Sequence, residues 1–185
     1  MEQFQQVLLN VWQEACRHIE IGQSTANIAA MLVRRLPIEQ VLVRRIDSVR
    51  SGLETVAAGF ADAQPRRGDC PDFRVSDNGT VPFDAARRET RTDCQPAKLQ
   101  SLVEWCRRGK VAHRRGKSSS FAELAELASN QHDGDVLVGP LGDPAGHCGV
   151  LVFLAAKNET FGREHVELAQ LLLEPFSVAL DNDFR

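Results

Sequence analysis

Cys94, Cys106 and His113 are the residues whose types could bind a metal ion, with Asp93 and Asp69 able to add oxygen ligands. Their spacing is loose, unlike the tight pairs that mark structural zinc sites, and the same residues also read as unligated thiols and a solvated imidazole. His147 and Cys148 are neighbours on an extended run. Their side chains therefore point to opposite faces and cannot easily share one ion. No metal is assigned on this pattern. Cys70 lies in GDCPDF, with Arg66, Arg67 and Arg74 close by in sequence. Nearby cations lower a thiol pKa and favour redox chemistry. Arg107, Arg108, Lys110, His113, Arg114, Arg115 and Lys117 form a dense positive run. It reads first as a solvated loop, and suits a phosphate, a carboxylate or an acidic partner surface as the alternative.

Several chemistries have no residues to perform them. There is no G-x-x-x-x-G-K-[ST] phosphate loop, no G-x-G-x-x-G after a strand, no H-E-x-x-H helix and no G-x-S-x-G elbow. The chain is expected neither to hydrolyse ATP nor to read DNA bases. Its net charge of -3 gives no global attraction to nucleic acid or anionic membranes. No apolar run approaches the ~20 residues of a membrane span. The first residues lack a basic leader, so a cytoplasmic location is expected. The five cysteines are odd in number and form no C-x-x-C pair, which fits thiols in a reducing compartment.

The elements that must position these residues follow from periodicity. Phe4, Val7, Leu8, Val11, Trp12, Ala15 and Ile19 form one helical stripe. Gly22 is expected to interrupt it, and Ser24 to cap a second helix ending at Pro37. The branched run 41–46, a turn over 48–52 and the segment 53–60 predict a hairpin. From Ala61 to about Pro96 the chain is polar and rich in Asp, Arg, Pro and Gly, with short strands expected over 73–75 and 81–83. A helix is predicted over 97–108 from Leu99, Leu102, Val103 and Cys106, followed by an extended KVAH. Ser120 and Glu123 read as a capping box for a short helix carrying Phe121, Leu124, Leu127 and Ala128. DVLVGPL and HCGVLVFLAA predict a second hairpin, the latter strand apolar on both faces. A long helix is then expected from about Arg163 to Phe184, capped by Gly162. The order predicts an α+β fold with a mainly antiparallel sheet.

The last quarter carries a specific likeness. The hairpin VGPLGDPAGHCGVLVFLAA, the helix start FGREHVELAQLL and the ending FSVALDNDFR resemble the closing hairpin and helix of GAF domains, in the style of the N-terminal sensory domains of bacterial sigma-54-dependent activators. Two positions depart from that pattern: Gly162 stands where Ser or Thr is usual, and Pro175 lies inside the closing helix, where it should bend it. The resemblance implies one sensory domain over 1–185: an antiparallel sheet with helices on both faces, the terminal helices on one and the shorter helices and variable stretch on the other. It implies a small-molecule effector in a pocket walled by Trp105, Cys106, His113 and Phe121, to which Arg74 is added; from their types alone Cys106 and Phe121 read first as core and Trp105 as a partly buried flank. It implies no enzyme activity and names no cofactor. Partners would be a second copy, through the terminal helices, and output ATPase and DNA-binding domains beyond this chain. The alternatives are a redox enzyme of the free-methionine-sulfoxide-reductase type using Cys70 or Cys94, and a ligand-free dimerisation module.

Overall fold

A computed structural model describes residues 2–17, 20–61, 91–116, 132–142 and 148–184. Its centre is strand β1 (Ile38–Asp47), which is paired on both sides: with β2 (Gly52–Phe60) and with β6 (Cys148–Ala155). Six antiparallel strands run in the order β3-β2-β1-β6-β5-β4, with β3 (Arg91–Asp93) and β4 (Ala112–Arg114) at the two edges and β5 (Val136–Gly142) beside β6. The architecture is α+β. The first hairpin closes where Asp47 Oδ1 accepts the backbone N–H groups of Val49 and Arg50 at 3.1 and 3.0 Å, a side chain mimicking a turn carbonyl. Both predicted hairpins pair antiparallel, the second without a break in register.

Period-two alternation divides the core in two. Val41, Val43, Leu137, Leu151 and Phe153 face one side, where they meet three helices. These are α1 (Glu2–Ala15), through Phe4, Val7 and Val11; α2 (Ile21–Leu32), through Ile21, Ile28 and Leu32; and α4 (Arg163–Phe184), through Leu168, Leu172, Phe176 and Leu180. Leu42, Ile46, Leu53, Val138, Val150, Val152 and Leu154 face the other side, under Leu99, Leu102 and Cys106 of α3 (Pro96–Cys106). Between Val43 and Arg44 the pairing with β2 slips by one residue. That bulge lets Val56 and Ala57 both turn to the three-helix side.

Three sequence expectations need correction. The second helix begins at Ile21, with Glu20 as its cap, and Ser24 lies buried inside it, its N–H bonded to the Glu20 carbonyl at 3.1 Å. Gly22 sits in the first turn, where glycine costs little, while the buried Ile21 anchors the start. Second, α2 does not join the shorter helices on the far side; it lies with the terminal helices. Gly59 permits this, because a Cβ there would stand 2.5 Å from the Thr25 carbonyl oxygen and 2.7 Å from Ala29 Cβ. Third, β3 falls within the stretch read as irregular. The expected strands over 73–75 and 81–83 and the Ser120 helix lie outside the described residues.

The closing helix begins as expected. The Gly162 carbonyl accepts the N–H groups of His165 and Val166 at 3.1 and 3.2 Å, and the Gly162 N–H donates back to His165 Nδ1 at 3.0 Å. α4 continues through Pro175. Its Leu171 is partly exposed, and α1 packs against α4.

Candidate functional site

The α3 side of the sheet carries the chemistry. In β1 the phase that sends Leu42 and Ile46 toward α3 also sends Arg44 there. Arg44 stands opposite Thr55 of β2 and Val150 of β6, and is only 4% exposed. Its Nη2 donates to Thr92 Oγ1 of β3 at 2.7 Å. Burial pulls the guanidinium below its ordinary pKa, and nearby Cys94 pushes the other way. Cys94 is tied down in turn: its N–H donates to the Ser51 carbonyl at 2.9 Å.

α3 supplies the facing wall. Cys106 is buried, and its sulfur lies 3.5 Å from the Gly149 carbonyl oxygen. Burial, reinforced by nearby Cys148, pushes its thiol up to about 12. Such a thiol stays protonated and acts as a small apolar group with a weak donor. Trp105 is half-buried and packs against the same cluster, as do Cys94 and Cys148. This face therefore brings the Arg44 guanidinium, the Thr92 hydroxyl, the Cys94, Cys106 and Cys148 thiols and the Trp105 indole into a layer of Leu and Val.

Of the sequence candidates, Trp105 and Cys106 meet here, and His113 does not. His113 pairs with Leu137 across the β4–β5 ladder and so faces the three-helix side. Ala112 and Arg114, in the opposite phase, pair with Val138 and Val136. The loose set Cys94, Cys106 and His113 thus cannot converge on one ion. Among the described residues no group of three ligating side chains gathers. Arg74 and Phe121 lie outside the described residues, as does Cys70.

His113 belongs to a different cluster. Its Nε2 lies 3.0 Å from Asp135 Oδ2, and its ring meets Phe161 edge-on with centroids 6.2 Å apart. Asp135 Oδ2 also accepts the Phe161 N–H at 3.1 Å, and Oδ1 accepts the Gly116 N–H at 3.1 Å. Burial raises the carboxyl pKa, but the bonds from His113, Phe161 and Gly116 together outweigh it and hold it below the usual range. In the basic run, Arg107, Arg108, Lys110 and Arg115 are exposed, while the Arg114 guanidinium donates to the His132 carbonyl at 2.8 Å.

Sequence reasoning missed Arg44 and Asp135. Arg44 was legible in principle, since it shares the phase of Leu42 and Ile46 in a strand apolar on both faces. Asp135 read only as the first residue of a strand; nothing local announces three donors arriving from 113, 116 and 161.

No protein-family model matches the chain, and no curated protein matches it. Solved structures do match in fold. The phycoerythrobilin-bound GAF domain of a cyanobacterial phytochrome superposes with a TM-score of 0.56 at 15% identity, covering 97% of this chain and 95% of that one. The GAF domain of a phosphoenolpyruvate-protein phosphotransferase from Coxiella burnetii gives 0.60 at 14%, covering 95% and 91%. The free methionine-R-sulfoxide reductase of Neisseria meningitidis, in complex with its substrate, gives 0.58 at 13%, covering 98% and 90%. The chain has the GAF fold.

Proposed function

We propose that this GAF-fold chain is a small-molecule-sensing signal-input domain whose effector sits between the sheet and α3. The observation that carries the reading is Arg44: a guanidinium held at 4% exposure among Leu and Val on the α3-facing side. A surface that only had to pack would do better with an apolar residue there, because burying a cation costs several kcal/mol, on the order of its desolvation. A surface that recognises a ligand uses a few fixed polar groups in an apolar lining. Thr92, Cys94, Trp105 and Cys106 supply the rest of that lining, and the effector is a compact molecule carrying a hydrogen-bond acceptor. Two of the structures similar in fold, a bilin-bound GAF domain and a reductase in complex with its substrate, hold small molecules, which supports the reading by analogy of fold.

The chain acts as a binding module and not as an enzyme. Cys106, held near 12, is a poor nucleophile. The setting is a bacterial sigma-54-dependent regulator in the cytoplasm, supported by the closing pattern VGPL…GVLVF…FGREH…FSVAL. In that setting α4 hands the signal to an output ATPase. Leu9 on α1 and Leu171 on α4, 53% and 40% exposed, supply apolar surface for a second copy.

Native mass spectrometry of the purified chain tests this. A small molecule is expected to co-purify, with retention reduced about tenfold by Arg44→Met, as loss of a hydrogen bond to a charged group predicts. Turnover of free methionine sulfoxide would replace the reading with an enzyme. A dimer that carries no small molecule, and gains no thermal stability from any acceptor-bearing metabolite in a panel, would replace it with a dimerisation module.

A further inference from the structure

The α3 side and the closing helix lie on opposite faces of the sheet, so a signal read on one must reach the other. The chain itself makes that crossing between Cys106 and Ala112, around the β4 edge. The end of α3 is wound down by Arg108 N–H to the Trp105 carbonyl at 2.9 Å and Gly109 N–H to the Cys106 carbonyl at 3.3 Å. Gly109 has φ +69, the left-handed conformation that turns the chain out of a helix. The linker then meets α4. The Gln170 amide grips it from both ends: Oε1 accepts the Val111 N–H at 2.9 Å, and Nε2 donates to the Gly109 carbonyl at 2.8 Å.

One turn further along α4, Leu173 fills the notch left by Gly139 of β5. A Cβ at Gly139 would lie 2.2 Å from Leu173 Cδ2 and 3.5 Å from Val111 Cγ2, so linker and helix share that notch. Beyond β4, Asp135 fastens His113 and Gly116 to the Phe161 N–H, just ahead of α4. The segment from Gly109 to Gly116 is thus fastened to α4 at one end and to its threshold at the other, while Leu99, Leu102 and Cys106 of α3 ride on the opposite face. Gln170 is exposed and fills no core space, yet both ends of its amide are spent on this linker.

We propose that Gln170 is a latch that carries displacement of α3 to the closing helix around the β4 edge. The trigger rests on the effector seat proposed above; the linkage itself does not, and its test uses no ligand. Hydrogen exchange by mass spectrometry is measured on the full chain carrying Leu102→Ala, which loosens α3 at a buried position, with and without Gln170→Ala. Leu102→Ala alone is expected to speed exchange in α3 and in α4 around 170–177. Adding Gln170→Ala should leave the acceleration in α3 intact and cut that in α4 about threefold or more, the size of an ordinary coupling between contacting groups. Gln170→Glu keeps the acceptor for Val111 but loses the donor to Gly109, and should fall between. If Leu102→Ala does not fold, Leu99→Val loosens the same helix more gently. An α4 response equal in both backgrounds, or an α3 response with none in α4, overturns the latch. Failure to find an effector would leave this result standing, so the two readings fail separately.

Discussion

Replacing Asp135 tests whether the β4 edge is fastened to the closing helix as described. One carboxylate accepts three donors: His113 Nε2 and the N–H groups of Phe161 and Gly116. In Asp135→Asn the surviving oxygen takes the Oδ2 position, keeping His113 and Phe161, and the amide nitrogen then faces the Gly116 N–H, donor against donor. The loss is one charge-assisted bond plus the charge, about 2 kcal/mol. Asp135→Ala also abandons the buried Phe161 N–H, raising the cost to about 3–4 kcal/mol. For a chain of this size each kcal/mol lowers Tm by roughly 2–4 °C. Urea unfolding followed by far-UV circular dichroism measures both variants. The pH dependence has a definite sign. Because the folded-state pKa of Asp135 lies below the ordinary carboxylate value, its contribution is full above about pH 4 and is lost as pH falls through the folded value. The gap between wild type and Asp135→Asn should therefore be present at pH 7 and close in acid. An Asn variant within about 0.5 kcal/mol of wild type, or a gap that persists undiminished in acid, would refute the three-donor arrangement.

Two further outcomes follow from packing and burial. Gly59→Ala drives a methyl against the Thr25 carbonyl, backbone that cannot rotate away, and should cost about 3 kcal/mol in urea unfolding, whereas Gly22→Ala, with open space around it, should be neutral or stabilising by up to about 1 kcal/mol. With iodoacetamide at pH 8 in native buffer, exposed Cys16 should alkylate rapidly, while Cys106, buried and with its pKa pushed up to about 12, should react only on unfolding; peptide mass mapping distinguishes the two.

Both hairpins, α1, α3 and the closing helix were readable because each carries a local period: two residues for strands, 3.6 for helices. The start of α2 was misjudged because Gly22 and Ser24 are strong local punctuation, overruled by burial of Ile21 and by the seat at Gly59. β3 escaped because RTD has no apolar alternation; it is a strand only because Leu53 of β2 offers Thr92 an edge to pair with. Trp105 and Cys106, named together from the GAF resemblance, both reach the α3 side of the sheet because their helix packs there. The same resemblance names His113 with them, whereas the β4–β5 register puts it on the opposite face.

The sequence by itself determined the α+β class, the two hairpins and the apolar face of each element, because these follow from side-chain periodicity along a few residues at a time. Only the tertiary structure decided which groups share a surface. Arg44 beside Thr92, Asp135 beneath Phe161 and Gln170 against Gly109 are separated by 48, 26 and 61 residues. Nothing in a local pattern encodes such meetings; they are set by strand register and by how closely helices approach the sheet.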